Sequence, residues 1–193
     1  MKRLKRVRLK LKVYNFLAST KVLGPFERSV LWVQGCPFNC KNCMTPDSID
    51  LNGGIEIDVE FLVEKIAKLD VEGITISGGE PFLQHKELNE LISKIRNIRD
   101  FGVIVYTGYK FEEIKNLEFI KNIDILIDGE YIEELNDGIA LRGSSNQKVY
   151  FLTDRYKDFE NLYNSYNRQV EIKIDETIEI IGIPSINTLK RFK

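Results

Sequence analysis

Every cysteine in the chain falls within eight residues, at Cys36, Cys40 and Cys43 of the stretch Gly35-Cys36-Pro37-Phe38-Asn39-Cys40-Lys41-Asn42-Cys43. Thiolates at this density are soft ligands that suit zinc or an iron-sulfur cluster. A closed structural zinc or a fully protein-ligated cubane takes four protein ligands, so three cysteines leave one coordination position open. The spacing i, i+4, i+7 would also let three unreactive thiols share one apolar helix stripe. Gly35 and Pro37 argue against that, Asn39 and Asn42 favour turns, and the apolar run 30–33 ends just before. The expected local structure is a strand followed by a loop.

A cysteine cluster with no partners for disulfides fits a reducing compartment, where such thiols bind metal or react. With no apolar run of eighteen residues and no signal-peptide pattern, the expectation is a cytoplasmic protein with no membrane association. At 193 residues and 43% hydrophobic content the chain has the length of a single domain, 1–193, with enough apolar residues for a sizeable core. Net charge is −1, but residues 1–12 hold seven of the 28 Lys and Arg, leaving 21 against 29 acids in the rest. Basic tails bind nucleic acid or anionic partners. Here Val7-Arg8-Leu9-Lys10-Leu11-Lys12-Val13 alternates strictly, so a half-buried edge strand guarded by lysine is preferred and nucleic acid is not expected as a partner.

In chain order, residues 1–28 read as that first strand and a connection over 15–27, marked by Gly24-Pro25. The core follows over 29–150. Residues 28–33 form the strand that delivers the cysteine loop, with Trp32 taken as core filling; 50–54 form a turn; and Asp58 caps a helix bearing Phe61, Leu62, Ile66 and Leu69. Strands are expected at 73–77, 103–106 and 123–127, with helices around Leu88, Leu91, Ile92 and Ile95 and over 111–117. Asp124 and Asp128 are read as orienting neighbours or capping the strand's polar end. The extension 151–193 reads as a helix carrying Tyr156, Phe159, Leu162 and Tyr163, then a hairpin of 170–174 and 177–181 turning at Asp175-Glu176, with a further strand at 149–152 before the helix. Alternating strands and helices argue for an α/β fold with a parallel sheet. An eight-unit barrel needs about 250 residues, so a partial (β/α) barrel with a C-terminal helix and β-hairpin is expected.

The spacing Cys-x3-Cys-x2-Cys resembles the signature of the radical S-adenosylmethionine superfamily. Trp32-Val33-Gln34-Gly35-Cys36-Pro37-Phe38-Asn39-Cys40, Ser77-Gly78-Gly79-Glu80-Pro81-Phe82, Val105-Tyr106-Thr107-Gly108-Tyr109 and Arg142-Gly143-Ser144-Ser145-Asn146-Gln147 together resemble the small activating enzymes of anaerobic ribonucleotide reductase. The likeness spans residues 29–150. It departs after the third cysteine, where Met44-Thr45-Pro46-Asp47 stands in place of the His-Asn-Pro-Glu often found there.

The resemblance implies one 4Fe-4S cluster on Cys36, Cys40 and Cys43, whose open iron binds S-adenosylmethionine. It implies that Gly78, Gly79, Glu80 and Pro81 take the cofactor's amino group, that Thr107, Gly108 and Tyr109 line its ribose and adenine, and that Ser144 and Asn146 have a cofactor or partner role. No catalytic residue beyond the cluster ligands is implied. The implied reaction is reductive cleavage to a 5'-deoxyadenosyl radical, which takes hydrogen from a glycine of a glycyl-radical enzyme such as anaerobic ribonucleoside-triphosphate reductase. A flavodoxin- or ferredoxin-like protein would donate the electron. Two rivals stand beside this: radical chemistry on another peptide or a small molecule, and an iron-sulfur electron-transfer or sensor protein without turnover. Other chemistries fare poorly, since His85 is the sole histidine, read as an exposed surface residue, and neither a phosphate loop nor a dinucleotide glycine fingerprint occurs.

Overall fold

The computed structural model describes residues 8–139, 141–163, 166–174 and 178–184. Their strands and helices, in order, are β1 (Lys10–Thr20), β2 (Arg28–Val33), β3 (Ile55–Asp58), α1 (Val59–Ile66), β4 (Gly73–Gly78), α2 (His85–Ile98), β5 (Gly102–Tyr106), α3 (Phe111–Ile114), β6 (Ile125–Asp128), β7 (Lys148–Phe151), α4 (Glu160–Tyr163), β8 (Val170–Ile174) and β9 (Ile178–Gly182). Seven strands form one sheet in the order β3-β1-β2-β4-β5-β6-β7, and β8 and β9 pair with each other.

The four central strands are parallel, as their near-continuous β-branched runs require of strands covered on both faces. On one face α2 buries Leu88, Leu91, Ile92 and Ile95, the i, i+3, i+4, i+7 stripe of an amphipathic helix, each contributing roughly 1.5–3 kcal/mol. Parallel register aligns Val33 with Gly78, Ile76 with Val105 and Tyr106 with Ile127. The segments leaving the carboxyl ends of β2, β4, β5 and β6 therefore emerge side by side, where parallel α/β sheets place their ligands.

The α/β expectation holds, with a mostly parallel seven-stranded sheet and a small two-stranded hairpin. The sheet is open, and antiparallel pairs β1–β3, β1–β2 and β6–β7 occupy both sides of the parallel centre. Residues 15–20, expected as connection, continue β1, because pairing of Asn15, Phe16 and Leu17 with β2 outweighs their mixed polarity. β3 was not foreseen; it is a four-residue edge held by β1. In α1 the core face is Val59, Leu62, Val63 and Ile66, while Phe61 is 50% exposed. The expected helix over 156–163 is a 3-10 segment, Asp154–Phe159, kinked at Tyr156 and followed by the single turn α4. Leu162 faces outward there, whereas Tyr156 is buried. Asp58 caps α1 as read, accepting from Glu60 N. His85 begins α2 half-buried, and Asp124 and Asp128 accept from Val103 N and Phe111 N. The hairpin turn at 175–176, Thr177 and residues 1–7 lie outside the described residues. No helix among the described residues is long and apolar enough to cross a membrane.

The opposite end of the sheet is closed by Arg28, a wholly buried cation. Its guanidinium donates to Thr75 Oγ1 (2.8 Å), Pro25 O (2.6 Å) and Ile74 O (3.2 Å), lies 3.4 Å from Glu72 Oε2, and sits over the Tyr156 ring. Removing one partner of a buried ion pair leaves groups without compensation, typically at a cost of about 3–5 kcal/mol. Arg28→Ala is expected to lower the denaturant midpoint by a corresponding amount, and an unchanged midpoint in a urea titration would show that this network is not structural.

Candidate functional site

The cysteine loop leaves β2 through Gly35, whose φ of +94° suits glycine. Gly35 N donates to Ser48 O (2.8 Å), Cys36 N to Ile49 O (3.0 Å) and Cys43 N to Cys40 O (3.2 Å), closing a turn with Asn42 at φ +53°. The three thiols thus stand in irregular loop, and the helical-stripe alternative is excluded. Gln34 Nε2 pins the returning chain by donating to Asp47 O (3.2 Å) and Asp50 O (2.8 Å), and Thr45 Oγ1 donates to Gly78 O (3.0 Å). The segment that departs from the family pattern therefore ties the cysteine loop to the next strand.

All three thiols are half-buried and line one cavity of about 270 Å³, together with Gly78, Gly79, Glu80, Thr107 and Gly108. The glycines are steric requirements. A Cβ on Gly78 would come 2.5 Å from Val33 N and O, and one on Gly79 would come 2.3 Å from Gly35 O. This approach lets Gly79 N donate to Val33 O and Glu80 N to Gly35 O, both at 2.8 Å, extending the β2–β4 pairing past the strand ends.

Glu80 turns its carboxylate inward, 1% exposed. Oε1 accepts from Phe82 N (2.9 Å) and Thr107 Oγ1 (2.8 Å), and Oε2 accepts from Gly108 N (2.8 Å), so one side chain braces the ends of β4 and β5. Burial raises its pKa to about 7, while these three donors pull it down. On the loop side, Phe38 meets Tyr109 edge-on at 4.9 Å and would clash with any Cβ on Gly108.

The structure brings together Cys36, Cys40, Cys43, Gly78, Gly79, Glu80, Thr107 and Gly108, and leaves Pro81, Tyr109, Ser144 and Asn146 outside the lining. Pro81 is buried behind the turn. Ser144 Oγ accepts from Ile132 N, Asn146 Nδ2 donates to Glu130 O, and Gln147 bridges Gly129 O to the amides of Gly143 and Ser144. The 142–147 segment thus holds the loop after β6, and presents Gly143 and Gln147 to the cavity in place of Ser144 and Asn146. Tyr14, Asn15, Trp32, Met44 and residues 179–183 also line it and were missed. Trp32, expected as core filling, is half-buried on the cavity wall. Its place at the carboxyl end of β2, beside the cysteine loop, could have flagged it, but nothing local marks the distant hairpin.

Desolvation pushes Cys36 up to about 11 and raises Cys40, so these thiols hold their protons until a metal displaces them. Among the described residues no three His, Cys, Asp or Glu side chains converge on a single ion. A cubane asks for no such convergence, because each thiolate takes a separate iron. The donor set, three soft sulfurs from one loop around one cavity, fits a cluster with an open iron. Among the described residues, the acidic side chains that line the cavity are Glu80 and Glu179.

This site defines a single-cluster iron-sulfur protein, and residues 22–150 match the family described as 4Fe-4S single cluster domain. Relatives agree. The chain is 34% identical over 139 residues to the anaerobic ribonucleoside-triphosphate reductase-activating protein of Enterobacteria phage T4, covering 69% of this chain and 89% of that one. It is 32% identical to the protein of that name from Salmonella typhimurium and 29% to that of Escherichia coli K12, each over 143 residues covering 68% of this chain and 92% of the other. The chain belongs to the family of anaerobic ribonucleoside-triphosphate reductase-activating proteins.

Glu80 generates a pH prediction. Its folded pKa of about 7 lies above the ordinary 4.5, so the folded state holds the proton more tightly. The group's contribution to stability is therefore full below pH 4.5 and declines as pH rises to about 7. Glu80→Gln should remove this slope. It should also destabilise by about 1–3 kcal/mol, since an amide nitrogen facing Gly108 N leaves a donor unpaired. Denaturation midpoints at a series of pH values check both; the same slope in the variant would assign it to another group.

Proposed function

We propose that the protein is a radical S-adenosylmethionine activase that takes hydrogen from a glycine of a partner glycyl-radical enzyme, anaerobic ribonucleoside-triphosphate reductase. The observation that carries the reading is that three thiols of one loop and the Gly-Gly-Glu turn share one cavity at the carboxyl ends of parallel strands. We read the open sheet as the partial barrel the family resemblance implies, within one domain over 1–193 working in the cytoplasm.

Cys36, Cys40 and Cys43 would hold the 4Fe-4S cluster. When bound, the reduced cluster supplies one electron to S-adenosylmethionine, and the carbon radical so formed removes the glycine hydrogen. The chain supplies position and shelter. Gly78, Gly79 and Glu80 receive the amino end of the cofactor, with Pro81 fixing the turn from behind, and Glu80 places negative charge behind closely approaching backbone and favours a cationic group. Thr107, Gly108 and Tyr109 flank the nucleoside end, with Phe38 against Tyr109 narrowing the opening. Ser144 and Asn146 act at one remove, by holding the loop after β6. A flavodoxin- or ferredoxin-like donor would supply the electron.

Anaerobic reconstitution should give about four iron and four sulfide per chain. Dithionite-reduced protein should then form 5'-deoxyadenosine slowly alone, and give an organic radical doublet by electron paramagnetic resonance once the host's glycyl-radical reductase is added. Replacing Cys36, Cys40 or Cys43 by alanine should abolish cleavage. Stoichiometric zinc without iron uptake would sink the cluster; cofactor cleavage with no signal on any glycyl-radical protein would point to another peptide or a small molecule; a cluster with no cleavage at all would leave an electron-transfer or sensor protein.

A further inference from the structure

The cavity has walls of two origins. The cysteine loop, the Gly-Gly-Glu turn and the 107–108 segment lie within the matched residues 22–150, whereas Tyr14 and Asn15 of β1 and residues 179–183 lie outside them. β8 and β9 pair with each other and stand apart from the seven-stranded sheet, so the hairpin is placed by a backbone bridge at its entry, Ile139 with Asn167 and Arg168 N to Gly138 O, and beyond that by side chains. Ile181 is buried against Leu23 and Val30, and Thr20 Oγ1 donates to Glu171 Oε2 at 2.6 Å. Facing it, the pairing of β1 with β2 shifts register between Val13 and Asn15, the kind of irregularity that re-aims side chains beside a site, and Tyr14 and Asn15 both line the cavity.

These walls leave about 270 Å³. Small-molecule sites commonly span about 300–1,000 Å³, so a nucleoside-sized cofactor would fill most of this one. Whatever it attacks has to arrive as something narrow, and peptide backbone without a side chain is the narrowest form a protein substrate can offer.

We propose that the β8–β9 hairpin, seated by Ile181 and Glu171 opposite the irregular stretch of β1, is the wall that selects glycine at the reacting position by excluding a Cβ. The inference rests on the activase reading. In the step itself the Cα–H bond breaks, the hydrogen atom passes to the cofactor's carbon radical, and the unpaired electron stays on Cα; the wall decides which Cα comes close enough. A single extra carbon in a close-fitting apolar site typically changes selectivity by about 10- to 200-fold.

The test uses full-length Ile181→Asp, which unseats the hairpin, and separately Glu171→Gln, which weakens its tie to Thr20 while leaving the buried cluster intact. In cluster-free protein, iodoacetamide alkylation of Cys36, Cys40 and Cys43, followed by mass spectrometry, reports how well the hairpin covers the loop. Both variants should be alkylated severalfold faster than wild type. In reconstituted protein, 5'-deoxyadenosine formation is compared with the partner reductase carrying glycine or alanine at the radical position. Wild type should prefer glycine by about tenfold or more, and both variants should lose most of that preference. Alkylation rates or a glycine preference unchanged in both variants would overturn the proposal. A wild type that cleaves no cofactor overturns the activase reading instead, and alkylation alone then decides whether the hairpin walls the loop.

Discussion

The site depends on how closely two stretches of backbone approach, those of Gly35 and Gly79. A Cβ at Gly79 would stand 2.3 Å from Gly35 O, so the contact exists only for glycine. It allows two further backbone hydrogen bonds beyond the strand ends, Gly79 N to Val33 O and Glu80 N to Gly35 O. These place the cysteine loop over the carboxyl end of β4 and aim Glu80 at the end of β5. Thr45, bonded to Gly78 O, closes the same arrangement from the other side of the loop.

Two buried charges mark the two ends of the parallel strands. Arg28, at the amino end, is satisfied by a neutral hydroxyl, two carbonyls and Glu72, and glycine at 73 and 102 makes room for it and for Tyr156. Glu80, at the carboxyl end, is satisfied by two amides and a hydroxyl. The first network holds strands together far from the chemistry. The second holds them beside it, leaving a carboxylate whose pKa of about 7 reflects the low polarity of its surroundings.

Much of the centre was legible in order along the chain. The stripe Leu88, Leu91, Ile92, Ile95 announced α2, the β-branched runs announced β4, β5 and β6, and Gly35 with Pro37 excluded a helix through the cysteines. Where reading failed, a distant partner outweighed local preference. The stretch 15–20, of mixed polarity, became strand because β2 offered a ladder, and β3 exists because β1 had a free edge. Ser144 and Asn146 looked suited to a ligand, yet they bond to the loop after β6, and Gln147 reaches the cavity. A polar motif records which groups hydrogen-bond and leaves open whether the partner is backbone or ligand.

The sequence by itself determined the chemistry: three soft sulfurs with no fourth, spaced within one loop, and a Gly-Gly-Glu turn whose first two positions carry no Cβ. Those are properties of residue type and short spacing, fixed before any long-range contact forms. Only the tertiary structure decided the shape of the space around them. Parallel register set the strand ends side by side, burial turned Glu80 into a brace, and a hairpin more than 130 residues after Cys36 came to wall the cavity. Such pairings are chosen by the summed packing of the whole core, Ile181 against Leu23 and Val30 among them, and no single stretch of chain carries that sum.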